Sequence, residues 1–208
     1  MDKLYSYINQ GEHQQQDFKF RVDDAKKIAR TMAAFANTDG GRLLIGVKDN
    51  GKIVGINPEE EFHMIQGAAE MYCKPAISFT SQIFQEKHKL VLEIVIEAVE
   101  NKPIRAIDED GNFKSYVRFE DHTLLGNKIL EGVWKREKNK TSVPEVFDTN
   151  EQLILSCIKE EGPITLSKLY RKINLKKAYI DKVLILLISW NIVSMQMSEN
   201  GTFYKLSS

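Results

Sequence analysis

Between positions 135 and 150 the chain reads Lys-Arg-Glu-Lys-Asn-Lys-Thr-Ser-Val-Pro-Glu-Val-Phe-Asp-Thr-Asn. Pro144 has no amide hydrogen and a fixed φ, so a helix entering this polar stretch must stop before it. The 208 residues therefore read as two domains, expected at 1–138 and 151–208 with a linker at 139–150. Hydrophobic residues make up 42% of the chain, enough for each domain to build a core. The formal net charge is zero, from 29 basic and 29 acidic residues, which excludes a uniformly basic polyanion binder. Any charged surface must be local. Cys73 and Cys157 are far apart, so neither a disulfide framework nor a zinc-finger spacing is available. No segment approaches the roughly 18 apolar residues of a membrane span, and the expected setting is soluble, cytoplasmic and without a membrane partner.

In the first domain, Gln15 to Phe20 reads as a short strand. Asp23 and Asp24 open a helix in which Ala25, Ile28, Ala29, Met32, Ala33 and Ala36 recur at helical spacing, giving a narrow apolar face that ends near Asn37. Leu43 to Val47 reads as a buried strand and Ile53 to Ile56 as its hairpin partner across Asp49-Asn50-Gly51-Lys52. Pro58 begins a second helix reaching about Tyr72. Strands follow at 77–84, 90–98, 104–107 and 116–119, and a closing helix carries Leu124, Ile129 and Val133 through Trp134. Strands and helices in this order give an α+β fold with a mixed sheet and packed helices.

The second domain has helical periods at 151–160, from Thr165 through Ile173, and from Lys176 to Trp190. Ile192 to Met197 and Thr202 to Leu206 then flank an Asn-Gly turn. Three helices and a hairpin is the order of a winged helix-turn-helix, whose third helix enters the major groove while the wing touches the backbone. Lys168, Arg171, Lys172, Lys176 and Lys177 fall in one short stretch without an acidic residue, and Tyr179 and Lys182 lie on faces of the third helix outside its apolar stripe. These residues are the expected nucleic-acid contacts, together with Lys19 and Arg21, which alternate with Phe18 and Phe20 along the first strand. Ile185, Leu186 and Trp190 widen the apolar surface of the third helix beyond one stripe. That surface would suit another domain or subunit.

Glu12, then Asp17-Phe18-Lys19, then Ala34-Phe35-Ala36-Asn37-Thr38 through Gly40-Gly41, Leu43 to Val47, Asp49 and Val54-Gly55-Ile56 resemble the Schlafen-type AlbA-like domain. The resemblance covers roughly residues 1 to 135, most densely 12 to 56, and Tyr116-Val117-Arg118 is similar to a later family segment. It implies a DNA-binding domain of bacterial regulators, often followed by a winged helix. The family also includes RNA-cleaving members, and their acidic site falls on Glu12, Asp17 and Asp49. By that resemblance the three carboxylates would be catalytic and would hold magnesium or manganese, with no cofactor required otherwise. Asp17 departs from the family's Glu, which withdraws the carboxylate by one methylene, about 1.5 Å against a tolerance of roughly 0.5 Å for such a constellation.

Gly46 to Lys52 matches Gly-x4-Gly-Lys, but Ile53 replaces the Ser or Thr that a phosphate loop needs, and a strand rather than a helix is expected to follow. The match to a nucleotide loop is discounted on that ground. His13, His63, His88 and His122 are scattered, though His13 adjoins Glu12. The expected function is nucleic-acid binding, as a DNA-binding transcriptional regulator that acts at least as a dimer, since one winged helix reads only a short site. RNA is a possible alternative ligand. The competing readings are a metal-dependent endoribonuclease of Schlafen type and an oligomeric protein-interaction module.

Overall fold

A computed structural model describes residues 3–137 and 146–207. The chain divides into two units, Met1–Gly126 and Asn127–Ser208, and both are mixtures of helix and strand. Among the described residues no helix is long and apolar enough to cross a membrane.

The first unit holds α1 (Lys3–Gln10), β1 (Gln16–Lys19), α2 (Ala25–Asn37), β2 (Gly41–Ile45), α3 (Pro58–Met71), β3 (Cys73–Lys74), β4 (Thr80–Glu86), β5 (Lys89–Ile96), β6 (Arg105–Ile107), β7 (Phe113–Phe119) and β8 (His122–Leu125). One sheet has the order β1-β2-β5-β4, with β1 parallel to β2 and the other pairs antiparallel. A second, antiparallel sheet has the order β3-β6-β7-β8. Asp24 caps α2, accepting from the Lys26 and Lys27 amides. Rather than showing one narrow apolar face, α2 is buried on every side from Thr31 to Asn37. It touches β2, β5, β6, β7 and α3, and its alanines let those elements come close. Gly40 and Gly41 complete its exit. A Cβ on Gly41 would collide with the Phe35 ring, and one on Gly40, at φ +70°, would lie 2.8 Å from the Ile96 carbonyl oxygen.

The outer face of the first sheet is covered by α1, where Leu4, Phe18, Leu44, Val47, Ile53 and Val91 form a small core of their own. The hairpin expected from 43–47 and 53–56 reduces to a single bridge between Val47 and Ile53. Gly46 and Gly55 take φ of +101° and +81°, which bends the backbone out of a ladder. The neighbours of β2 are β1 and β5 instead.

The second unit holds α4 (Lys128–Glu137), α5 (Thr149–Glu161), β9 (Ile164–Thr165), α6 (Leu166–Lys172), α7 (Lys177–Ser189), β10 (Val193–Ser198) and β11 (Gly201–Leu206). Its antiparallel sheet has the order β10-β11-β9. Asp148 and Glu151 form a reciprocal capping box at the start of α5, and the Thr165 hydroxyl accepts from the Lys168 amide at 3.3 Å. Ile154, Ile158, Leu169, Ile180, Leu184, Leu187 and Tyr204 make the core. Leu124 lies in β8, not in the closing helix expected to carry it. That helix, α4, packs on α7: Ile129 enters the C-terminal core and Gly132 lies against Ile185. The division of the fold thus comes before α4, at 126/127, rather than after it at 138. Of the linker expected at 139–150, residues 139–145 lie outside the described residues, and 149–150 form the first turn of α5.

Candidate functional site

In the first unit the chemistry gathers on β1, an edge strand whose outward backbone groups need partners. The Phe18 amide donates to Glu12 Oε1 at 2.8 Å, and the Phe18 carbonyl accepts from Lys19 Nζ at 2.8 Å. The Gln16 carbonyl accepts from Arg118 Nη2 at 3.3 Å. Asp17 and Lys19 share the side of the strand that faces away from Phe18, and their side chains form an ion pair.

Arg118, on β7, joins the two sheets. Its side chain is only 2% exposed, it lies 5.0 Å over the Phe35 ring, and it donates to Asp17 Oδ1 at 2.9 Å, the Glu120 carbonyl at 3.2 Å and the Thr123 hydroxyl at 3.4 Å. Beside it, Asn37 donates to the carbonyls of Ile104 at 2.7 Å and Tyr116 at 2.9 Å and accepts from the Ile104 amide at 2.8 Å. The Thr38 hydroxyl accepts from the Arg118 amide at 2.9 Å and donates to the Ala34 carbonyl at 2.8 Å. The Asn37-Thr38 pair and Arg118 thus fix the second sheet to the exit of α2.

Asp17 and Asp49 each come within electrostatic reach of Glu12. Burial, opposed by the Phe18 amide and reinforced by the Asp17 and Asp49 charges, raises the Glu12 carboxyl above its ordinary range. Asp17, however, is buried between Arg118 and Lys19, so its oxygens already face two cations. Asp49 is exposed in the turn after β2. Among the described residues no three His, Cys, Asp or Glu side chains group to hold a metal ion. The donor set does not fit the magnesium or manganese that a Schlafen-type nuclease site implies. His13 accepts the Gln15 amide on Nδ1 at 3.2 Å, and burial together with Arg42 and Arg118 lowers its pKa, which favours the neutral ring.

The basic residues expected to meet nucleic acid separate into two groups. Lys19 is committed to Asp17, Arg21 pairs with Asp23, and Lys168 and Lys172 both pair with Glu161 at 2.7 and 2.5 Å. Those two lysines hold the Glu161 carboxyl down to about 2. Tyr179 is committed as well, its hydroxyl donating to Asp148 Oδ2 at 3.0 Å beside the α5 cap. Lys177 lies over the Tyr170 ring at 5.5 Å. Arg171, Lys176 and Lys182 are exposed and form no ion pair among the described residues.

Three structural roles escaped the sequence reading. Arg118 was visible only as part of a family segment, because nothing local announces that its partner lies in β1. Asn37 looked like a helix terminus and is also a buried cross-link. Lys128, which bonds Asp181 at 2.5 Å and Tyr170 at 2.9 Å, is separated from both by the proline-bearing stretch.

The DIP2311 protein from Corynebacterium diphtheriae is 17% identical, with a TM-score of 0.45; the match covers 94% of this chain and 36% of that one. This chain therefore spans about a third of that relative's length. The N-terminal domain of a RecG-related protein from Nitrosomonas europaea is 20% identical, with a TM-score of 0.45, over 72% of this chain and 97% of that domain. None of the curated proteins matches the chain. The family model described as "Schlafen, AlbA_2" matches residues 12–125, a segment that contains Glu12, the α2 exit with Asn37 and Thr38, and Arg118. By that match over more than half of its length, the chain belongs to the Schlafen, AlbA_2 family.

Proposed function

We propose that the protein is a DNA-binding transcriptional regulator whose C-terminal unit is a winged helix-turn-helix. The order α5-β9-α6-α7-β10-β11, with β9 added to the edge of the final hairpin, supports that reading. In it α7 is the recognition helix and the Asn200-Gly201 turn is the tip of the wing. The observation that carries the proposal is the exposure of Arg171, Lys176, Lys177 and Lys182 at the end of α6 and along α7, while the neighbouring Lys168 and Lys172 are both tied to the Glu161 carboxylate. The interface is narrower than the run of basic residues suggests. One such unit reads a short site, so recognition of two half-sites requires a dimer.

Duplex titration over a series of salt concentrations tests this reading. Each neutralised phosphate contributes about 0.9 to the slope of log affinity against log salt, so Lys176→Ala with Lys177→Ala should weaken binding and reduce the slope by about 2. Unchanged affinity and slope would remove α7 from the interface.

A further inference from the structure

The first unit contains a half-open cleft of about 330 Å³ between β1, α2 and the β7–β8 hairpin, none of whose residues belongs to the proposed DNA-reading surface. Such a volume falls within the range of about 300–1,000 Å³ typical of small-molecule sites. Lys19, Lys27, Arg30 and Arg118 line it against Asp17 and Asp121, leaving two positive charges in excess.

The cations divide by role. Lys19 and Arg118 face Asp17, and the ring Nδ1 of His122 lies 2.6 Å from Asp121 Oδ1. Arg118 is held rigidly by its other bonds and shapes the floor. Lys27 and Arg30 stand one turn apart on α2, so their side chains lie on the same face. Lys27 is exposed and forms no ion pair among the described residues. The partner of Arg30 is Glu109 at 3.4 Å, whose side chain is 87% exposed. A pair so open to water is weak and readily exchanged for a better anion. An ammonium and a guanidinium fork side by side, which are themselves the two positive charges in excess, match a compact dianion carrying several acceptor oxygens.

We propose that this cleft binds a phosphate monoester, as a mononucleotide or as the 5′ end of a nucleic-acid strand. Lys27 and Arg30 grip the phosphoryl oxygens, and the Asp17–Arg118–Lys19 cluster holds the wall that presents them. The site does not depend on duplex reading by α7.

Calorimetric titration of the full chain tests the assignment with four probes: inorganic phosphate, adenosine monophosphate, and one short single strand bearing either a 5′-phosphate or a 5′-hydroxyl. The comparison is the Lys27→Ala, Arg30→Ala variant, whose changed side chains are not part of the core. Phosphate, the nucleotide and the 5′-phosphorylated strand should bind and lose at least tenfold in affinity in the variant, while the 5′-hydroxyl strand binds both proteins alike. Tighter binding of the nucleotide than of the phosphorylated strand would assign the site to free nucleotides, and the reverse to strand ends. No binding of any phosphate probe at millimolar concentration, or equal affinity in wild type and variant, would overturn the proposal. So would an equal loss for the 5′-hydroxyl strand, which marks a diffuse basic surface. Duplex binding measured on the same variant should be unchanged, so failure here stays separate from failure of the α7 reading.

Discussion

Asn37→Ala is the substitution that most directly probes how the first unit holds together. The side chain is 2% exposed and makes three hydrogen bonds, to Ile104 twice and Tyr116 once, at 2.7 to 2.9 Å. Alanine abandons one amide hydrogen and two carbonyl oxygens in a place that water does not reach. Each buried group left without its partner costs about 1–3 kcal/mol, and some strain relaxes, so the loss should be about 3–6 kcal/mol. That is a large fraction of the roughly 5–15 kcal/mol that holds a domain together. Both tryptophans, Trp134 and Trp190, belong to the C-terminal unit. Urea unfolding of the full chain followed by tryptophan fluorescence should therefore report that unit, and far-UV circular dichroism both units. The variant should shift the dichroism transition to lower urea and leave the fluorescence transition in place. A stability change below about 1 kcal/mol would refute the claim that this side chain bridges α2 to the second sheet.

Two further predictions concern titratable groups. Lys168 and Lys172 depress the Glu161 carboxyl from its model-compound value of 4.5 to about 2, so its favourable contribution is fully present above pH 4.5 and is lost as pH falls through 2. Carbon-detected NMR titration should find the Glu161 midpoint near 2 in the native protein and closer to 4.5 after Lys168→Met and Lys172→Met; equal midpoints would show that the lysines do not act on it. Burial pushes the Cys73 thiol up to about 12, whereas Cys157 is half-buried with a smaller upward shift. Iodoacetamide at pH 8 should modify Cys157 first and reach Cys73 only on unfolding, which mass spectrometry of the native protein checks.

Much of this organisation was legible from local signals. Asp24, Thr165 and the Asn-Gly turn at 200–201 each act on their own neighbours, so caps and hairpins could be read residue by residue. The apolar faces of α5 and α7 were equally plain. Pairing over long distances was not. The turn at 49–52 suggested a hairpin, but β1 arrives in parallel from before α2 and β5 from beyond α3, and together they take both edges of β2. The small helix α1 was overlooked although Leu4, Tyr7 and Ile8 have the spacing of one helical face. Within the candidate site, the family pattern pointed to Glu12, Asp17 and Asp49, and Glu12 feels the charges of the other two. The commitment of Asp17 to Arg118 was not, because it joins strands about a hundred positions apart, as their separation of 101 records.

The apolar surplus on α7 bears on how two copies could meet. Ile185, Leu186 and Trp190 suggested a face for another domain or subunit, and Gly132 of α4 does fit against Ile185, while the Trp190 ring lies 6.2 Å from Phe147 and 5.7 Å from the Arg136 guanidinium. Lys128 fastens the same side of α7 through Asp181. The unit thus covers part of that face with its own chain, while Ile185 and Leu186 still line an open cleft beside Gly132, Lys135 and Arg136. Gly132→Leu tests this directly: a Cβ on the glycine would already come within 2.3 Å of the tip of the Ile185 side chain, so a side chain of leucine's size should lift α4 from α7 and bare the apolar strip. The variant should shift the tryptophan emission, from Trp134 on α4 and Trp190 together, to longer wavelength and form concentration-dependent aggregates in sedimentation velocity. Wild-type emission with wild-type sedimentation would mean that α4 does not shield α7, and would return that helix face to the surfaces available for assembly.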